Sequence, residues 1–153
     1  MKLNQSKLIS VLTLITLCFW YSSIAHGQTI TESKIGVNLP LSGPGMVLGN
    51  DIRDGLLLCN KDIGLRLIFE DNQTNPAKAV AAFQKLRDFD GVQLQISSFS
   101  PIVNALIPYA RQSQIPLFVT IVSASSVVKN GAGILVNLFT SGEEAGPIAA
   151  RFA

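Results

Sequence analysis

Few side chains in this sequence are equipped for covalent chemistry. His26 is the only histidine and lies in an apolar amino-terminal segment. Loss of that segment would leave no Ser-His triad and no histidine-based metal site. Leu41–Gly45 (LSGPG) has the glycines of a ligand loop, but not the Lys-Ser/Thr ending of a phosphate loop or the GxGxxG spacing of a dinucleotide turn. The acidic pairs Glu70-Asp71 and Asp88/Asp90 read as solvated turn residues rather than a catalytic dyad or calcium ligands. Asn72-Gln73-Thr74 meets the glycosylation rule but reads as a turn. The remaining chemistry is that of hydroxyls near helix starts, at Ser100 before Pro101 and in Ser123–Ser126. This points to binding, not catalysis, and no cofactor or metal is expected.

The elements that must position these residues alternate between strand and helix. Ile35–Leu39 is apolar and partly β-branched, LSGPG breaks it, and Met46–Asn60 resumes at helical spacing. Leu65–Phe69 reads as a second strand. Asn75 as N-cap and Pro76 at the first helical position open a second helix, Pro76–Phe89, with Val80, Phe83 and Leu86 on one face. Gly91–Ser98 is a third strand and Pro101–Gln112 a third helix, with Ile102, Ala105, Leu106 and Tyr109 on one side. Pro116–Val122 and Ile134–Phe139 complete the strands, separated by a polar turn at Ser123–Ser126 and a glycine-containing loop at Lys129–Gly133. Glu143–Ala153 begins a last helix. The alternation predicts an α/β fold with a parallel sheet flanked by helices on both faces. Right-handed crossovers then gather loops 41–45, 70–74, 97–101 and 123–126 on one edge.

The amino terminus has the pattern of an export signal. Lys2 and Lys7 precede the apolar run Leu8–Trp20, and Ala25-His26-Gly27 places small residues for cleavage before Gln28. The division expected is therefore a signal peptide over 1–27 and a folded part over 28–153, with an uncleaved anchor at Leu8–Ala25 as the alternative. Cys18, preceded by Leu17, reads as part of the apolar run and not as a lipid-attachment site. The formal charge of +2 resides in Lys2 and Lys7; beyond Gly27, ten basic and ten acidic residues balance, which argues against nucleic acid as a partner. Cys59, the one cysteine left after cleavage, reads as a small buried hydrophobe in the row Leu56, Leu57, Cys59.

The segments IGVNLPLSGPG…GNDIRDG, EDNQTNPAKAVAAFQKL and ISSFSPIVNALIPYARQSQIPLF resemble, in this order, the amino-terminal lobe of type 1 periplasmic binding proteins. The similarity is to the leucine/isoleucine/valine-binding branch that serves ABC importers, and it runs from about Ile35 to Ala153. The resemblance implies an incomplete first lobe of an exported, periplasmic protein. Its partners would be a small ligand, an amino acid in this branch, and an ABC permease. By position Ser100 matches a serine whose hydroxyl holds the ligand's carboxylate, a role that suits a hydroxyl among helix-terminal N–H groups; it could equally cap the helix at Pro101. An Ala-Thr pair of the family falls on Ser123-Ala124-Ser125-Ser126. Ser125 after Ala124 fits the motif, and Ser123 fits an ungapped count. Leu48 falls beside the ligand in relatives, or in the core. Ile96-Ser97, Pro101 and Gly142 depart from the usual pattern, and the acidic group that holds a ligand's ammonium belongs to the family's second lobe. A sensory ectodomain or regulator of the same fold, and an inactive truncated remnant, are the alternatives.

Overall fold

The computed structural model describes residues 33–152. The segment read as a signal peptide, with Cys18 and His26, lies outside the described residues. In chain order the elements are β1 (Lys34–Leu39), α1 (Met46–Ile63), β2 (Arg66–Asp71), α2 (Pro76–Asp88), β3 (Leu94–Ser98), α3 (Ser100–Ser113), β4 (Leu117–Thr120), α4 (Ser125–Asn130), β5 (Leu135–Asn137) and α5 (Gly142–Ala149). The strands form one sheet in the order β2-β1-β3-β4-β5, and every neighbouring pair is parallel. A parallel sheet wound outward in both directions from its first strand reverses direction between β1 and β3. The crevice beyond their carboxyl ends is where such folds bind ligands.

The register assigns the faces. Asn38 donates from Nδ2 to the Ala79 carbonyl of α2 (2.8 Å), and Gln95 donates from Nε2 to that of Phe83 (3.0 Å). The partners of these residues across the sheet therefore face α2 and α3. On this face the core packs Ala79, Phe83, Ile102, Val103, Leu106, Ile107 and Ala110 against Leu117 and Val119. The alternate residues Ile35, Leu67 and Ile96 face α1, with which they line a narrow apolar slot that also includes Leu56, Cys59 and Ile63. Toward β5 that face is more open, where Val136 and Leu138 are exposed.

Local chemistry explains the element boundaries. α1 runs three residues past the expected Asn60, because Gly64 supplies a left-handed cap (φ 72°) whose N–H bonds to the Asn60 carbonyl. Asn75 caps α2 as expected, its side chain accepting from the N–H groups of Ala77 and Lys78 (2.9 and 3.1 Å). The expected loop after β4 is instead largely α4: Ser125–Asn130 close a short helix that its serines disguise. Cys59 is also a correction. It is exposed, because the unbroken run Leu56-Leu57-Leu58 has no single apolar side and the sheet covers only part of the helix.

Candidate functional site

The loops that follow the five strands all emerge at the carboxyl edge. Among the described residues, four of the five non-glycine residues with positive φ lie there: Gln73, Thr74, Phe99 and Ile121. Strained backbone of this kind gathers at ligand sites and is sharpest for a bulky or β-branched residue such as Phe99 or Ile121.

Helix amino termini at this edge divide into two kinds. α2 and α5 are closed by side chains, Asn75 on α2 and a reciprocal Ser141/Glu144 capping box on α5. α1, α3 and α4 carry no side-chain cap. Of these, α1 and α3 follow β1 and β3, the strands at which the winding reverses. Their first N–H groups have no partner within the helix and, with the helix dipole, favour an anion.

Ser100 does not cap α3. The helix begins at Ser100 itself, Phe99 occupies the N-cap with φ 69° and ψ 128°, and no cap hydrogen bond forms. Instead the Ser100 Oγ accepts a long hydrogen bond from the backbone N–H of Ala124 (3.4 Å). Ser100 and Ala124, separated by twenty-four residues, are thus brought together. Ser123 and Ser125 flank that contact; Ser123 is exposed and Ser125 half-buried, and the Ser123 carbonyl accepts from Gly142 N–H (2.9 Å). Leu48 lies in the first turn of α1 and is 45% exposed, so the core alternative for it is excluded. Beneath the edge, the hydroxyls of Ser98 and Thr120 are register partners, and both are buried without a hydrogen-bond partner.

The other half of the edge is densely bonded. Asp71 is not a solvated turn residue. It ends β2, and its Oδ1 accepts the backbone N–H groups of Leu41 (2.8 Å), Ser42 (3.2 Å) and Gln73 (2.9 Å). Its Oδ2 accepts the Ser42 hydroxyl (2.5 Å). Desolvation by burial works against the charge, but these donors, the Ser42 hydroxyl foremost, outweigh it and hold the carboxyl below its ordinary value. Thr74 Oγ1 accepts from Gly45 N–H (3.0 Å). Asn72 is fully buried. Its Nδ2 donates to Asn38 Oδ1 (3.0 Å) and to the Asn38 carbonyl (3.2 Å), and its Oδ1 accepts from Thr74 N–H (3.0 Å). A side chain so placed is no glycan acceptor. Apart from the local Gln73–Asp71 and Thr74–Asn72 bonds, these partners lie 29 to 34 residues from one another, so their spacing gave no sign of them.

The class defined by this architecture is an open α/β lobe with its ligand edge at the winding reversal. The model of the periplasmic binding protein family matches residues 32–150, and the chain belongs to that family. It is 28% identical over 137 residues to a Leu/Ile/Val-binding protein homologue of Brucella abortus, an alignment covering 84% of this chain and 34% of the relative. The chain thus spans about a third of the length of the curated relatives it matches. A leucine binding protein from Thermotoga maritima superposes with a TM-score of 0.70 at 21% identity, over 79% of this chain and 36% of that one. The solute binding protein of an ABC transporter from Rhodopseudomonas palustris, in complex with 3,4-dihydroxybenzoic acid, gives 0.65 at 24% identity, over 71% and 32%. The fold expected from the sequence is the fold observed.

Proposed function

We propose that this chain supplies the carboxylate-gripping lobe of a periplasmic solute-binding protein that delivers a small amino acid to an ABC importer. The reading rests on one juxtaposition: the Ser100 hydroxyl at the uncapped start of α3, set against the Ala124 N–H beside the point where the winding reverses. A carboxylate entering there would replace the long Ser100–Ala124 contact with shorter bonds from the Ser100 hydroxyl and from helix-terminal N–H groups. Ala124 and either Ser123 or Ser125 would complete the grip, and Leu48 would face the ligand's apolar part. The mechanism is capture: no reaction is carried out, and a second lobe closes over the ligand before the closed form meets the permease.

Isothermal titration of the full chain tests this reading, with isoleucine, with isoleucinol (which lacks the carboxylate), and with 3,4-dihydroxybenzoate. Binding of isoleucine but not isoleucinol is the expected result. Binding of the benzoate alone would keep the carboxylate grip and remove the amino-acid assignment. A chain that binds none of the three overturns the proposal.

A further inference from the structure

We infer that Asp71 is a positioning residue for ligand capture: from β2 it fixes the β1–α1 loop, and so sets where the uncapped start of α1 stands at the binding edge. This rests on the functional reading above. Loop 40–45 is the only covalent link between β1 and α1, and it contains two glycines and two prolines. Left to itself, such a loop would not hold α1 in one place. Its backbone polar groups find a partner instead on the neighbouring strand. The Asp71 carboxylate accepts from two consecutive backbone N–H groups of the loop and from the Ser42 hydroxyl, as well as from Gln73 in its own turn.

Two further contacts extend the clamp to the helix. Thr74 holds the N–H of Gly45, the N-cap of α1. A Cβ on Gly45 would stand 2.6 Å from Thr74 Oγ1, and one on Gly49 would stand 2.0 Å from the Pro40 carbonyl oxygen. The first turn of α1 is therefore seated directly on the loop, so that moving the loop moves the helix start. Asp71 needs no contact with ligand to act in this way. A charged acceptor serving four donors from two loops couples those loops more tightly than neutral turn bonds would.

The test compares wild type with Asp71→Ala, Asp71→Asn and Thr74→Val in the full chain. Amide hydrogen exchange is followed at Leu41, Ser42 and Gly45, alongside thermal stability and titration with isoleucine and 3,4-dihydroxybenzoate. Asp71→Ala is expected to speed exchange in the loop and weaken binding about ten- to a hundredfold, the loss of charge-assisted bonds. Exchange in α3 should stay unchanged. Asp71→Asn keeps an acceptor oxygen at the same place and should recover part of both effects. Thr74→Val should release Gly45 alone. Should Asp71→Ala fail to fold, the Asn and Val variants carry the same comparison. Unchanged loop exchange in the variants, or faster exchange with unchanged affinity, overturns the inference. A wild-type chain that binds neither probe overturns the functional reading instead, and the exchange data then decide the clamp by themselves.

Discussion

The two halves of the carboxyl edge are built on opposite plans. On the β1–β2 side, Asp71 accepts from Leu41, Ser42 and Gln73, Asn72 joins Asn38 to Thr74, and Thr74 holds Gly45, so these side chains leave little over for a ligand. On the β3–β4 side, one long bond from Ala124 to Ser100 is accompanied by two unpartnered hydroxyls, an uncapped α3 and strained residues at Phe99 and Ile121. The first half is a frame, and the second is the proposed receptor. Unmet capacity marks where a ligand would find partners, because a native fold pairs most of its buried polar groups; among the described residues the side-chain oxygens of Asn50 and Gln95 are unpartnered as well.

Substitutions should break this contrast in a definite order. The largest loss of stability is expected from Asn72→Leu, which strands Asn38 Oδ1 and the Thr74 N–H inside the fold. At about 1–3 kcal/mol for each buried group left unpaired, chemical denaturation should show a loss of about 2–6 kcal/mol. Gly49→Ala comes next. Its new methyl would meet the Pro40 carbonyl oxygen and backbone, costing about 1–3 kcal/mol in the same measurement, as overpacking does. Ser100→Ala lies on the receptor side and should separate the two properties. Affinity for a carboxylate ligand should fall by about 1–3 kcal/mol, with thermal stability within about 0.5 kcal/mol of wild type. Smallest of all is Lys129→Ala, which removes an exposed ion pair with Glu143 (2.9 Å) and should change stability by no more than about 0.5 kcal/mol.

Acid sharpens the same contrast without mutation. The folded pKa of Asp71 lies below its unfolded value, so the clamp's contribution is fully present above the ordinary aspartate range. It is lost as pH falls through the lowered, folded value. Protection of the Leu41 and Ser42 amides, each rate taken relative to the intrinsic exchange rate at that pH, should hold steady from about pH 7 downward and fall only at the acid end, near about pH 3. A fall in protection already near neutrality would show that the Asp71 charge does not hold the loop.

Much of the fold was legible in the sequence because its signals are local. The Asn75-Pro76 start of α2, the break at LSGPG and the apolar strands each declare themselves within a few residues. The placement of Ser100 beside Ala124 was legible only through a family resemblance, since no local rule joins residues that far apart. Asp71 was misread as solvated because three of its four donors arrive from a different loop. Leu57 and Cys59 are exposed against expectation, in a helix whose apolar residues are too many to mark one face. Serine-rich Ser125–Asn130 concealed a helix for a simpler reason, that serine favours turns and helix starts alike.

The strand order has a consequence for how the lobe is assembled. β2 pairs with β1, β3 pairs with the other edge of β1, β4 with β3, and β5 with β4. Each strand after β1 therefore finds its neighbour already made as it leaves the ribosome, and only β1 waits for partners from later in the chain. Long-range pairings and exposed strand edges are the slow, aggregation-prone steps of sheet formation. A sheet that grows in the order of synthesis keeps its unpaired edges few and brief.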